Sequence, residues 1–280
     1  MQLLGLRRQR IVPDTRSTAH RSDSLPGVQE LLLAWYKANG RDLPWRRTHD
    51  PYAILVSEVM LQQTQVSRVL PRYEAWLARW PNAESLAAAE PADVIRAWDG
   101  LGYNRRAIRL HRCAAIVAER GGFPREPAEL RQLPGVGAYT AAAIACFAFG
   151  AQVPAPDTNA RRVLGRAFGD PHALPPPGRA YEWNQALFDL GSSVCIARRP
   201  RCQVCPLSSA CPSRGMTFAP IRRQKAFEGS FRQRRSSLLK KLSDGDMNLD
   251  ALDRPALDAL VDDGLAVVDG DRARLPSAER

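Results

Sequence analysis

The sequence runs to 280 residues, 45% of them hydrophobic and 25% charged, with 40 Lys and Arg against 29 Asp and Glu and a net charge of +11. That balance fits a globular chain with a sizeable core, and the longest uncharged apolar run, Thr140 to Pro154, falls short of the ~20 residues that a bilayer crossing needs. The positive excess points to a polyanionic partner, because neutralising phosphates releases their counterions, although a merely soluble basic protein would share it.

The chain opens with a basic stretch, residues 1–26, that reads as a disordered leader. It has no apolar run of signal-peptide length, so export is not indicated and a cytoplasmic, nucleoid-associated location is expected. Leu31, Leu32, Trp35 and Tyr36 then recur at helical spacing, as do Ile54, Leu55, Glu58, Val59 and Leu61 with Gln62, and Ala107 to Val117 reads as a further amphipathic segment. Pro51, Pro91 and Pro124 sit where helices start or loops end, and Gly100, Gly102, Gly121 and Gly122 punctuate the rest. A short helical stretch from Pro127, an Ala-rich helix over 138–149 and a helix from Thr158 to Ala167 follow. Cys113 and Cys146 lie on apolar stripes and read as core. The expected fold is all-α, with no internal repeat.

After Pro212 the composition changes. Arg222 to Lys241 carries eight basic residues, whereas residues 246–280 hold nine acids and four arginines, a net of −5 that leaves +16 for residues 1–245. This predicts a main domain over 27–213, a linker over 214–230 and a small module over 231–280. In the module, helices are expected near Arg232–Leu242 and Leu257–Asp263, with a hairpin over 265–275 turning at Asp269 and Gly270. That order resembles a small winged-helix module, though many α+β fragments read the same way.

The most specific feature is a group of four cysteines, Cys195, Cys202, Cys205 and Cys211, in a Pro-rich stretch of 17 residues. Four thiolates that close together can hold one metal centre, a better reading in a reducing cytosol than two disulfides. Zinc held by four sulfurs and an iron–sulfur cluster are the chemical alternatives. The second feature is LPGVGAYT at 133–140. Gly135 and Gly137, between Leu133 and Val136, permit a tight hairpin whose N–H groups, with the following helix N-terminus, form a phosphate seat. An ordinary helix connection would read alike.

Taken together, SEVMLQQTQV at 57–66, GLGYNRRA at 100–107, LPGVGAYTAAAIA at 133–145, PDTNARRV at 156–163 and the cysteine spacing resemble the MutY-type adenine DNA glycosylases of the helix-hairpin-helix superfamily, which also contains endonuclease III. The resemblance covers about residues 27–213. It implies a two-lobed helical fold with the active site between the lobes, a [4Fe-4S] cluster on the four cysteines, and a monomer acting on double-stranded DNA that carries a mismatch or an oxidised guanine.

Breaking an N-glycosidic bond needs a proton for the departing purine and negative charge near an oxocarbenium-like sugar. Glu58 and Asp157 fit those two roles. Glu58 lies between Val56, Val59, Met60 and Leu61, where burial raises a carboxyl pKa and keeps it protonated. Asp157 precedes the helix from Thr158 and is either its N-cap or the stabilising anion. In the resemblance, Glu58 protonates adenine, Asp157 is the catalytic aspartate and Asn159 positions water or substrate; a first-turn residue making local hydrogen bonds is the plainer account of Asn159. Tyr139 stands where the bifunctional relatives carry a lysine, so a Schiff base with the sugar is unavailable and a monofunctional enzyme leaving an abasic site is expected. Gln63, with Gln62 and Thr64 in LQQT, and Tyr103 in GLGY resemble the residues that wedge into the duplex when a base is flipped out. Arg46, in LPWRR, resembles a residue near the adenine pocket. A polar helix end, a core tyrosine and a solvated arginine are the plainer readings.

The residues after Arg214 are too few for the Nudix-like domain with which larger relatives recognise 8-oxoguanine. A thymine or uracil mismatch glycosylase of the same fold therefore stays open as an alternative. So does a reading of another class, a non-catalytic iron–sulfur DNA-binding protein.

Overall fold

The computed structural model describes residues 26–219 and 226–278. All but the last residue of the expected leader, and residues 220–225 of the expected linker, lie outside them.

The first core is built around a helix that is apolar on every side. Asp50 caps α2 (Pro51–Leu61) by accepting from the Tyr52 and Ala53 N–H groups at 3.0 and 3.2 Å, and Pro51 fixes its first turn. Nine consecutive residues, Tyr52 to Met60, are buried, as expected for a helix with no polar face. Around it pack α3 (Val66–Arg79), α4 (Ala83–Ala87), α5 (Pro91–Ala97), α6 (Arg105–Glu119), α7 (Pro127–Leu130) and α8 (Ala138–Phe149). Gly150, at φ 71°, ends α8 in the left-handed cap that glycine adopts without penalty.

The second core joins distant parts of the chain. Val28, Leu32 and Leu33 of α1 (Pro26–Asn39) pack with α9 (Thr158–Ala167), α10 (Ala180–Ser193) and Leu207. The chain thus leaves the second core after α1, builds the first, and returns at α9, whose cap Asp157 lies within electrostatic reach of Glu58 in α2 and Tyr139 in α8. The expected helices over 138–149 and 158–167 have those bounds. Cys113 and Cys146 are buried in the first core.

A third core holds α11 (Phe231–Asp244), α12 (Arg254–Asp262) and a sheet of three short antiparallel strands in the order β1–β3–β2: β1 (Met247–Asn248), β2 (Val267–Asp269) and β3 (Arg272–Arg274). The pairing Asp269↔Arg272 puts the turn at Gly270 and Asp271, one residue later than expected, because the glycine takes the first loop position at φ 58°. The sheet also has a strand, β1, that the sequence pattern gave no sign of. Ile95 of α5 and Ile108 of α6 are buried in this core, so the module is docked on the first lobe.

A candidate active site in the cleft between the lobes

Glu58, the eighth residue of α2, is 6% exposed. Burial pushes its carboxyl up to about 7, helped by the charge of Asp157; the Tyr139 hydroxyl, within hydrogen-bonding reach, and the Arg46 guanidinium oppose the rise. Tyr139 is the second residue of α8, and burial together with the Glu58 charge holds its phenol well above its ordinary value, so it is a neutral donor. The two expected carboxylates are therefore within electrostatic reach of each other, Glu58 from the first core and Asp157 from the second.

Asp157 caps α9 as well: its carboxylate accepts from the Ala160 N–H at 2.6 Å and from Asn159 Nδ2 at 3.2 Å. The two readings of this residue are compatible, since one oxygen can hold the helix while the group faces the cleft. Asn159 Oδ1 accepts from Arg162 Nη2 at 2.8 Å, and Arg162 donates onward to the Gly191 and Cys195 carbonyls at 2.7 and 2.9 Å. Gly191 is required there, because a Cβ would stand 2.9 Å from Asn159 Cβ.

Arg46 is not solvated. Its side chain is 7% exposed, and Asp189 of α10 accepts from Nη1 and Nη2 at 2.8 and 2.7 Å while the Arg41 carbonyl takes Nη1 at 3.0 Å. Its Nε is buried with no partner among the described residues. The Tyr181 hydroxyl donates to the Arg46 carbonyl at 3.1 Å. Asp189 was missed in the sequence, where its one signal was a lone acid inside an apolar helical run.

The LQQT and GLGY segments meet at the surface. Tyr103, 51% exposed and so no core tyrosine, donates from its hydroxyl to Gln63 Oε1 at 2.8 Å. Gln63 and Tyr103 have φ of 55° and 48°, the only non-glycine residues with positive φ among those described, and such strain persists where surroundings hold it. Beneath them the buried Arg106 donates to the Val59, Met60 and Gln62 carbonyls at 2.6, 3.1 and 2.7 Å, to Thr64 Oγ1 at 3.2 Å, and to the Leu101 and Gly102 carbonyls at 3.1 and 3.0 Å. Sequence reasoning passed over Arg106, although it falls on the same helical face as Leu110, Cys113 and Val117.

In the 133–137 segment, Leu133 and Val136 are buried and Gly135 is left-handed at φ 81°. Gly137 has φ −85°, so the tightness of the turn does not require it. It instead leaves open space beside the N-terminus of α8, which no side chain caps. Such an end accepts an anion.

The four cysteines are free thiols that line one cavity with Arg166, Leu190 and Leu207. Arg166 Nη1 donates to Cys195 Sγ at 3.7 Å, the Gly215 N–H to Cys202 Sγ at 3.5 Å, and Cys211 Sγ to the Arg166 carbonyl at 3.4 Å. Among the described residues, no three His, Cys, Asp or Glu side chains stand together as a single ion requires. All-sulfur donors around a shared cavity are a set that an iron–sulfur cluster or a zinc ion takes.

Residues 56–181 match the family described as HhH-GPD superfamily base excision DNA repair protein. An adenine DNA glycosylase from Mycolicibacterium smegmatis is 49% identical over 233 residues, which cover 76% of this chain and 79% of that protein. This chain is a MutY-type member of the helix-hairpin-helix glycosylase superfamily. The adenine DNA glycosylase of Homo sapiens is 44% identical over 65% of this chain and 38% of its own. Among solved structures, a thermostable thymine-DNA glycosylase matches with a TM-score of 0.61 at 31% identity, over 65% of this chain and 93% of that one. An endonuclease III trapped covalently on DNA has the same helical fold, with a TM-score of 0.60 at 20% identity over 68% and 95%. No helix among the described residues is long and apolar enough to cross a membrane.

Proposed function

We propose that this enzyme is a base-excision glycosylase that hydrolyses the N-glycosidic bond of adenine mispaired with 8-oxoguanine or guanine in double-stranded DNA and leaves an abasic site. What supports this reading is Glu58, a buried carboxyl that burial and the charge of Asp157 push up to about 7, with Tyr139 and Arg46 beside it. Glu58 gives its proton to a ring nitrogen of the extruded adenine, so that the base departs neutral as the C1′–N bond breaks. Asp157 faces the resulting oxocarbenium ion, and a water held near Asn159 adds to C1′ and gives its proton to the Glu58 carboxylate, which is thereby restored. Tyr139 has no amine with which to trap the sugar, so the enzyme is monofunctional.

Gln63 and Tyr103 fill the gap that the flipped base leaves, with Gln62 and Thr64 shaping the turn beneath them. Leu133, Gly135, Val136 and Gly137 seat a phosphate at the α8 N-terminus, and Arg46 lines the base pocket. Cys195, Cys202, Cys205 and Cys211 would hold a [4Fe-4S] cluster, a reading supported by their shared cavity. When bound, such a group would tie the 195–211 segment together and could exchange an electron. The helices, short strand and hairpin after residue 230 support a winged-helix-like module. The enzyme acts as a monomer at the nucleoid.

The 31% identity to a thymine-DNA glycosylase favours mismatched thymine or uracil as the second reading. Base release from A:8-oxoG, A:G, T:G and U:G duplexes, followed by alkali, separates the two. Release confined to T:G and U:G would replace adenine as substrate, and no release from any duplex would leave a DNA-binding protein.

A further inference from the structure

The third core closes over the two helices that flank the Tyr103 turn. Ile95 lies on α5, eight residues before Tyr103, and Ile108 on α6, five after it, and both are buried against Leu238, Leu239, Leu257 and Leu260 of the module. Polar contacts clamp the same two helices. Arg96 Nε donates to the Ser243 carbonyl at 3.1 Å, and Glu90 Oε2 accepts from the Ala278 N–H at 2.9 Å. At the start of α6, two residues beyond Tyr103, Arg105 Nε pairs with Asp263 Oδ1 at 3.1 Å, and Arg235 of α11 binds the other oxygen of that carboxylate. Asp263 is 13% exposed and Arg235 is largely covered, while the Arg105 side chain is about half exposed, so the carboxylate is the sheltered member of the junction.

Between these clamps runs a short turn with three left-handed residues, Gly100, Gly102 and Tyr103 at φ 82°, 68° and 48°. A turn of that kind keeps one shape only if its two ends are held. The module is poorly suited to reading DNA with the helix and hairpin that a winged helix would use: Asp262 of α12 and Asp271 of the hairpin are exposed acids that would face phosphates with like charge, and Arg254 and Arg274 are paired with the exposed Asp258 and Asp269. Two of the arginines of α11 are already engaged, Arg234 with Asp253 and Arg235 with Asp263.

We propose that the C-terminal module is a brace for the wedge: by gripping α5 and α6, with Asp263 as its positioning residue on Arg105, it holds the Tyr103 turn in the conformation that extrudes the target base. The proposal rests on the wedge reading of Tyr103 given above. It assigns the module to base extrusion and to neither lesion sensing nor the chemical step.

Single-turnover base release by the full chain is compared on two duplexes, one with adenine opposite guanine and one with adenine opposite a stable abasic analogue, where little pairing must be broken before flipping. Asp263→Asn keeps the shape but cannot hold two guanidinium charges, and Leu260→Ala loosens the module from inside. Both are expected to slow release from the paired duplex roughly tenfold or more while leaving the unpaired one nearly unchanged, since misplacement of a positioning element far from the chemistry acts on the step it serves. Asp269→Asn, on the hairpin, should leave both rates as they are. Equal loss on both duplexes, or no loss on either, overturns the brace. A variant whose module unfolds still tests it, because both helices are then released. Tyr103→Ala should show the same selectivity. If it discriminates and the module variants do not, only the brace fails, whereas a Tyr103→Ala enzyme that does not discriminate removes the wedge and the brace with it.

Discussion

Asp189 holds Arg46 by both terminal nitrogens, at 2.7 and 2.8 Å, with 2% of its own side chain exposed. A pair so buried is a hazard to the fold when one partner is lost, because the other is left charged without compensation. Asp189→Ala is expected to lower stability by about 3–5 kcal/mol, read as a shift of the urea midpoint at constant slope. Burial alone would raise the Asp189 pKa, but the hydrogen bonds and charge of Arg46, with those of Arg41, lower it overall. Its contribution is therefore complete above the unfolded carboxylate pKa and fades as pH falls through the lower folded value. The midpoints of wild type and Asp189→Ala should converge in acid, and a gap that widens there would refute this assignment.

Glu58 has the opposite sign. With its folded pKa near 7 against an ordinary 4.5, the native state binds a proton more tightly than the unfolded chain, so wild-type stability declines as pH rises from about 4.5 to 7. Glu58→Gln carries no titrating group there, and should gain on wild type by up to about 3 kcal/mol across that window. The same substitution should keep DNA binding and abolish base release, because the amide has no proton to give. In the wild type, kcat/KM should fall on the alkaline side with a midpoint near 7. A rate that stays flat to pH 9 would place the acid elsewhere.

The helices around the cleft could be read from apolar spacing, and both carboxylates from their settings: Glu58 as a lone acid in a wholly apolar helix, Asp157 as an acid just ahead of one. What escaped the sequence were contacts made across the fold. Asp189 meets Arg46 from 143 residues away, and neither carries a local mark of the pairing. Ile95 and Ile108 look like ordinary core residues, so nothing in their own segments announces that they serve a different core from Leu110 or Ala114. Strand β1, two residues long, shows no alternation to detect.

Asp157 has two tasks that can be separated by substitution. Asn can still accept from the Ala160 N–H, so Asp157→Asn should keep the melting temperature while removing the charge that faces the sugar, with loss of base release. Asp157→Ala removes the cap as well and should cost about 1 kcal/mol of stability in addition. Thermal unfolding of both proteins beside single-turnover rates is sufficient, and an Asn variant that retains wild-type rates would reduce Asp157 to a helix cap.

Arg106 joins the two surface turns from below. Its guanidinium serves seven oxygens drawn from the end of α2, from Thr64 and from the turn up to the Tyr103 carbonyl, and burial lowers its pKa to about 10, still high enough to keep it charged at neutral pH. Lysine supplies a point charge and no planar fork, so Arg106→Lys would leave several of those carbonyls buried without a donor. A loss of at least about 3 kcal/mol is expected. The functional consequence should be more selective than the loss of stability. Because Gln63 and Tyr103 stand on the two turns that Arg106 ties together, their 2.8 Å contact should be lost first. At a temperature where Arg106→Lys is still folded, it should release adenine from an unpaired site nearly as fast as wild type and from a paired duplex much more slowly. Equal rates on the two duplexes would mean that the strained turns keep their geometry without the arginine beneath them.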